Sequence, residues 1–264
     1  MSEPETQDRN SGSLHCYPPL SFGSLFAGIG GFDLGFERAG MVCKWQVEID
    51  DYANRVLAKH WPNVHRERDI RAAGSHNLER VDVICGGFPC QDISYAGAGA
   101  GLDGERSGLF FEAVRVVREL RPRIVVLENV AALLTRGLDR VLGTLAEIGY
   151  DAEWHWLPAE RLGAPHQRER VYVVAHAIGE RWEAGWIQNR EPHKAWAKTP
   201  MGQRFRMVRT EDERQTVANI VRMDDGVSNR VDRLRGLGNA VVPQVAEWIG
   251  RRIVESVLTE QGMT

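Results

Sequence analysis

The 264-residue chain carries only four cysteines, Cys16, Cys43, Cys85 and Cys90, and no C-x-x-C pair. That is too few, too widely spaced, for a disulfide framework, so a reducing, cytoplasmic setting is expected. No His/Cys cluster has zinc spacing, and no metal is expected. No apolar run approaches the ~18 residues of a membrane span, which excludes a membrane partner of that kind. The opening MSEPETQDRNSGS has no apolar stretch and is not a signal peptide; residues 1–19 read as a disordered N-terminal arm. Internal repeats and low-complexity tracts are also missing, so a solenoid is excluded.

A net charge of −3 argues weakly against a polyanionic partner. The average hides an asymmetry. Between Arg161 and Thr210 there are ten Lys/Arg against four Glu, and five of the eight tryptophans fall between Trp154 and Trp196. A basic, aromatic-rich half on a slightly acidic chain suits a surface that faces nucleic acid. A solvated basic surface over an aromatic core is the plainer reading of the same counts.

Apolar runs and helical patterns alternate up to about residue 177. LSFGSLF (20–26), VCKWQVEI (42–49), VDVIC (81–85), RIVVLENV (123–130), YDAEWHWL (150–157) and RVYVVAHA (170–177) read as strands. GFDLGFERAG, DDYANRVLAKHW, SGLFFEAVRVVREL and LDRVLGTLAEIGY read as the helices between them. This rhythm predicts an α/β fold, a doubly wound and mostly parallel Rossmann-like sheet, over residues 20–177. It fails over 178–229, which reads as a small irregular subdomain. Residues 230–258 return to the first domain through a helix begun by Pro243, and 259–264 form a tail.

The first strand runs into FAGIGGFDLG. Gly28, Gly30 and Gly31 permit a tight turn, and the following helix N-terminus carries partial positive charge. Glu48 lies twenty residues beyond Gly28 at the end of the second strand, where an acid accepts from a ribose diol. Together they point to an adenosine-containing ligand. Asp69, in RDI, suits an adenine edge or a surface ion pair with its flanking arginines.

Open α/β sheets place their chemistry at the carboxyl ends of strands. Three runs converge there: GGFPCQ after VDVIC, ENV closing RIVVL, and QRER before VYVVA. Cys90 supplies a nucleophile, Glu128 a desolvated carboxyl group, and Arg168 and Arg170 fixed positive charge.

These runs, with SLFAGIGGFDLGFERAG and LGNAVVPQVAEWI in the same order, resemble the cytosine-5 DNA methyltransferases from about Leu20 to Ile253. The resemblance implies S-adenosyl-L-methionine as cofactor, S-adenosyl-L-homocysteine as its product, and a cytosine flipped out of double-stranded DNA as substrate. It implies that Cys90 attacks C6 of the ring, that Glu128 bonds N3 and the exocyclic amine, and that Asn129 supports that loop. By the same likeness Arg168 lies near the cytosine O2 and Arg170 holds Glu128. Phe26, Ala27, Gly28, Ile29, Gly30, Gly31, Glu48, Ile49, Asp69, Ile70, Pro89, Leu109, Asn239 and Ala240 fall where the family contacts its cofactor. Gln91, Ser94 and Arg106, in the Gly-rich run after the nucleophile, and Arg204, Arg206 and Arg209 are expected to meet DNA.

The chain departs from the family in its short recognition segment, Ile178–Asn229, and in His166, where the family commonly has Gln. The run before GNAVV is reduced to RVDRLRGL. The resemblance further implies a monomer or weak dimer and a bacterial or phage-infected cytoplasm; a cognate restriction enzyme as companion and a solitary, phage-type enzyme both stay open. Methylation of tRNA, by one branch of the family, and a non-catalytic DNA-binding paralogue are the alternatives.

Overall fold

The computed structural model describes residues 18–89, 108–162, 164, 168–179, 236 and 238–260. The first part alternates strand and helix: β1 (Ser21–Leu25), α1 (Gly31–Arg38), β2 (Val42–Val47), α2 (Asp51–His60) and β3 (His65–Glu67). Next come β4 (Val83–Gly87), α3 (Gly108–Leu120), β5 (Ile124–Val130), α4 (Leu133–Arg136), α5 (Leu138–Glu147) and β6 (Tyr150–Pro158). The strand β7 (Glu169–Ala177) and the long helix α6 (Pro243–Glu260) complete the described elements.

The seven strands lie in the order β3-β2-β1-β4-β5-β7-β6. The first five are mutually parallel, while β7 runs antiparallel to both β5 and β6. The predicted α/β sheet, mostly parallel and doubly wound, is the observed one. Side chains alternate across it with period two, as a sheet covered on both faces requires. Leu25, Ile84, Val125, Leu127, Val171 and Val173 meet Phe110 and Val117 of α3 and Val141 and Leu145 of α5. Phe22, Val83, Val126, Tyr172 and Val174 meet Phe32 and Phe36 of α1 and Ile249 and Ile253 of α6. Each such burial contributes roughly 1.5–3 kcal/mol, so the two apolar layers dominate the stability of the fold.

Sequence patterning found the long elements and missed the short ones. HRE in β3 is three polar residues, too brief for a period, and it forms because β2 offers a partner edge. The four-residue α4 is likewise below the length at which spacing is informative. The α1–α6 crossing is close because two glycines face it. A Cβ on Gly35 would stand 2.4 Å from the Ala246 Cβ, and one on Gly250 would stand 2.8 Å from that of Ala39. Through this crossing the last described helix packs on the same face of the sheet as α1.

A small polar cluster, Ser24, Asp33 and Gln46, sits inside this apolar layer. Asp33 of α1 is fully buried and accepts from Gln46 Nε2 (2.8 Å) and Ser24 Oγ (3.2 Å), with the Cys43 thiol at 3.5 Å. Burial pushes its pKa from the ordinary 3.8 up to about 6, against the pull of the Gln46 hydrogen bond. Folded chain thus binds a proton here that unfolded chain releases, and this favours the fold below about pH 4 and is lost as the pH rises through about 6. Replacing Asp33 by Asn removes that dependence. The stability difference between Asp33→Asn and the wild type is expected to move in the variant's favour between pH 4 and pH 7.5, by up to ~3 kcal/mol. Urea unfolding at the two pH values measures it; a difference that stays constant contradicts the buried titration.

Candidate active site at the carboxyl edge of the sheet

The order of the sheet reverses beside β1, whose neighbours β2 and β4 lead the chain in opposite directions. A crevice opens at such a point because the flanking crossovers leave on opposite faces. Here the crevice is a cavity of about 340 Å³. Its walls follow the strand order: Asp69 and Ile70 beyond β3, Glu48 and Ile49 beyond β2, and Phe26–Ile29 beyond β1. Gly87–Pro89 at the end of β4 and Glu128 in β5 continue the line. Arg170 closes it, because β7 is antiparallel and therefore begins at the edge where β5 ends. At ~4.8 Å per strand, the step from β3 to β5 spans roughly 19 Å, room for an elongated ligand rather than a compact one.

The turn after β1 is held by its backbone. Phe26 (φ 52°) and Gly28 (φ 56°) both take the left-handed conformation, which turns the chain sharply off the sheet. Glu48 fixes the result: Oε2 accepts from Gly28 N at 2.7 Å and Oε1 from Asp50 N at 2.7 Å. Each carboxylate oxygen keeps an unused acceptor direction, so the group is positioned yet still able to bind a diol. Asn54 Nδ2 in turn holds the Glu48 carbonyl at 2.6 Å.

At the other end, Glu128 is 7% exposed and its carboxylate Oε1 lies 2.8 Å from Arg170 Nε. Among the described residues no N–H is aligned on Oε1 for a hydrogen bond. Burial raises the Glu128 pKa; the charges of Arg170 and Arg168 oppose it without cancelling it. The carboxyl needs the bare edge of β4. A Cβ on Gly87 would stand 2.9 Å from Glu128 Oε2, so any larger residue there displaces it. Asn129 is buried beside it, donating to the Phe88 carbonyl at 3.3 Å and accepting from Val130 N at 2.8 Å. It therefore ties the end of β5 to the backbone just before Pro89.

Arg168 takes a different place from the one its motif implies. Its Nη1 donates to the Gly238 carbonyl at 2.7 Å and its Nη2 to that of Ala240 at 2.6 Å, and it does not line the cavity. It clamps the turn before α6, while Arg170 is the arginine that faces the pocket. Burial lowers the Arg168 pKa, with Arg170 adding to the effect.

Of the residues expected to hold the cofactor, Phe26, Ala27, Gly28, Ile29, Glu48, Ile49, Asp69, Ile70, Pro89, Leu109, Asn239 and Ala240 all line this one cavity. Gly30 and Gly31 do not. A Cβ on Gly30 would stand 2.4 Å from the Trp61 ring, and one on Gly31 2.3 Å from the Val241 carbonyl, so both allow close packing behind the turn, and Gly30 (φ 88°) also supplies its left-handed backbone. Asp69 lines the cavity and also lies 3.6 Å from Arg71 Nη1. Cys90, Gln91, Ser94, Arg106, Arg204, Arg206 and Arg209 lie outside the described residues. Cys90 is the next residue after Pro89. The sequence reading did not assign Phe32, Tyr52, Phe88, Val130 and Val241 to the lining; all but Tyr52 stand inside the motif runs, yet as apolar residues without reactive groups, and only the fold gathers them.

Among the described residues no group of three or more His, Cys, Asp or Glu is arranged to hold a metal ion, and no helix is long and apolar enough to cross a membrane.

Removing Arg170 would leave a buried carboxylate without its counter-charge. Arg170→Gln is expected to destabilise the fold by about 3 kcal/mol at pH 8. At pH 5 the loss should be smaller, because Glu128, its pKa already raised, then takes up a proton. Denaturant unfolding at the two pH values tests this, and an equal loss at both would contradict a charged pair.

A family model described as C-5 cytosine-specific DNA methylase matches residues 20–229. The type II methyltransferase M.HhaI of Haemophilus parahaemolyticus is 36% identical over 159 residues, covering 59% of this chain and 48% of that protein. The type II methyltransferase M.Eco47II of Escherichia coli is 39% identical over 158 residues, covering 57% and 38%. In these matches the chain spans less than half the length of either relative. Among solved structures, the Dnmt2 methyltransferase of S. pombe superposes with a TM-score of 0.64 at 15% identity, over 90% of this chain and 99% of that one. The Entamoeba histolytica methyltransferase EhMeth gives 0.61 at 14%, over 91% and 99%. At such identities the likeness speaks for the fold alone. The fold, the cavity and the match across residues 20–229 agree: the chain belongs to the C-5 cytosine-specific DNA methylase family.

Proposed function

We propose that the chain transfers a methyl group from S-adenosyl-L-methionine to C5 of a cytosine flipped out of double-stranded DNA. The observation that carries this reading is one cavity with two chemically different ends. At one end are the Gly28 turn and Glu48; at the other, the buried Glu128–Arg170 pair, with Pro89, the neighbour of Cys90, on the wall between. The residues fit the cofactor. Glu48 retains acceptor directions for a ribose diol, and Phe26, Ile29 and Ile70 offer apolar surface for a base. When bound, S-adenosyl-L-methionine supplies an electrophilic methyl group on a sulfonium.

The protein's own part is to make cytosine C5 reactive. The Cys90 thiolate adds to C6, forming an Sγ–C6 bond while N3 gains a proton from Glu128. Electron density then moves to C5, which takes the methyl group. Loss of the C5 proton to a base and departure of the thiolate restore the aromatic ring and return N3's proton to Glu128. Burial favours the protonated carboxyl that this step needs, while Arg170 keeps the carboxylate state reachable for the return. A stacked base cannot reach this buried carboxyl, so extrusion at a cost of a few kcal/mol must be offset by contacts in the pocket.

Protein incubated with tritiated cofactor and duplex DNA should yield labelled 5-methylcytosine, and duplex containing 5-fluorocytosine should form a covalent adduct only when Cys90 is present. Cys90→Ser should abolish transfer, and Glu128→Gln should slow it by about 100-fold or more. Folded, cofactor-binding protein that leaves duplex DNA unlabelled but labels tRNA would move the substrate to RNA. Absence of label in either would remove the catalytic reading.

A further inference from the structure

The Asp69–Ile70 wall of the cavity lies outside the sheet, just beyond β3. It belongs to the connection between β3 and β4, a single 3₁₀ turn (Ile70–Ala72) followed by loop. Beside the hydrogen bonds of the turn itself and Asn77 Nδ2 on the Ala72 carbonyl at 3.1 Å, its backbone is held by one guanidinium from outside the cavity. Arg115 of α3 donates through Nη2 to the carbonyls of Ile70 (2.8 Å) and Ala73 (2.9 Å). Its other groups meet two acids on its own helix: Nε to Glu112 Oε2 and Nη1 to Glu119 Oε1, both at 2.8 Å. Glu119 then accepts from Ser75 N at 3.0 Å through its second oxygen. Gly74 makes the fit possible, since a Cβ there would stand 2.4 Å from Glu119 Oε2.

Four acceptors in fixed directions around one planar fork is a geometry that only arginine satisfies. The acids keep the fork aimed: two carboxylates on one side fix a cation whose other side grips two carbonyls. Arg115 and Glu119 do not line the cavity, whereas Asp69, Ile70 and Arg71 do. Nothing in the transfer chemistry calls for a cation here, and an ordinary surface ion pair would not reach two backbone carbonyls of another element.

We infer that Arg115 is a positioning residue for cofactor binding, setting affinity by holding the Asp69–Ile70 wall through the Ile70 and Ala73 carbonyls. This rests on the reading of the cavity as an S-adenosylmethionine site. The test is titration calorimetry with S-adenosylhomocysteine on the full chain and on Arg115→Ala, Arg115→Lys, Glu119→Gln and, as an exposed control on the same helix, Arg118→Ala. Arg115→Ala should weaken binding about tenfold, the scale of lost charge-assisted hydrogen bonds. Lysine should restore little of it, Glu119→Gln should cost less than the Ala variant, and Arg118→Ala should bind as the wild type.

Two further readings separate positioning from general damage. In ligand-free Arg115→Ala, amide hydrogen exchange should accelerate in residues 70–78 while β4 and β5 keep their protection. In turnover, the KM for S-adenosylmethionine should rise while kcat at saturating cofactor stays within about twofold. Wild-type-like binding in Arg115→Ala, or exchange that accelerates across the whole sheet, overturns the inference and leaves the cofactor reading intact. Failure of the wild type itself to bind overturns that reading and the inference with it. If the Ala variant does not fold, Arg115→Lys decides by the same criteria.

Discussion

The site depends on one reversal of strand direction. Had β7 run parallel to β5, its first residues would lie at the opposite edge of the sheet, a full strand length from Glu128. Antiparallel pairing instead sets Val130 opposite Arg170 and Glu128 opposite Tyr172. The Arg170 guanidinium thereby meets a carboxyl that the sheet has already taken out of water. A slip of one residue would send the arginine to the other face, because side chains alternate along a strand. Val171, Val173 and Ala175 on one face and Tyr172 and Val174 on the other prevent that slip, since each set is locked into its own apolar layer.

Around that pair the structure spends its polar groups on holding backbone. Glu48 fixes the Gly28 turn, Asn129 fixes the approach to Pro89, Arg168 fixes the Gly238–Ala240 turn, and Arg115 fixes the Ile70–Ala73 stretch. Each meets a segment just beyond a strand or helix end, where carbonyl and amide groups no longer have ladder partners. The cavity wall is therefore built of loops with the rigidity of regular structure. Preorganisation of this kind reduces what a ligand must spend on ordering its own site.

Much of this was legible in the chain. The period-two and helical patterns located every strand longer than three residues, and the turn FAGIGG with Glu48 twenty residues on located one end of the cavity. Cys90, Glu128 and the arginines of QRER were recognisable from residue type and order. Three things were not. The division of labour between Arg168 and Arg170 depends on which carbonyls come within reach, and Gly238 and Ala240 are about seventy residues away in sequence. Gly30 and Gly31 look like part of a ligand-binding turn, yet they are small because Trp61 and Val241 press against them. Asp33, an acid in the first turn of a helix, carries no local sign that it is buried; the packing of α1 on the sheet raises its pKa, and Gln46 and Ser24 meet it from two strands.

Sequence by itself determined the alternation of elements and the edge of the sheet at which Glu48, Glu128 and Arg170 gather. These follow from local periodicity and from the rule that strands of an open sheet release their loops at the carboxyl end. Tertiary structure alone decided which arginine faces the cavity, which glycines serve packing, and which distant cation holds the cavity wall. Such choices rest on distances between residues far apart in the chain, and hydrogen bonds that fail beyond a few tenths of an ångström are not encoded in any local pattern.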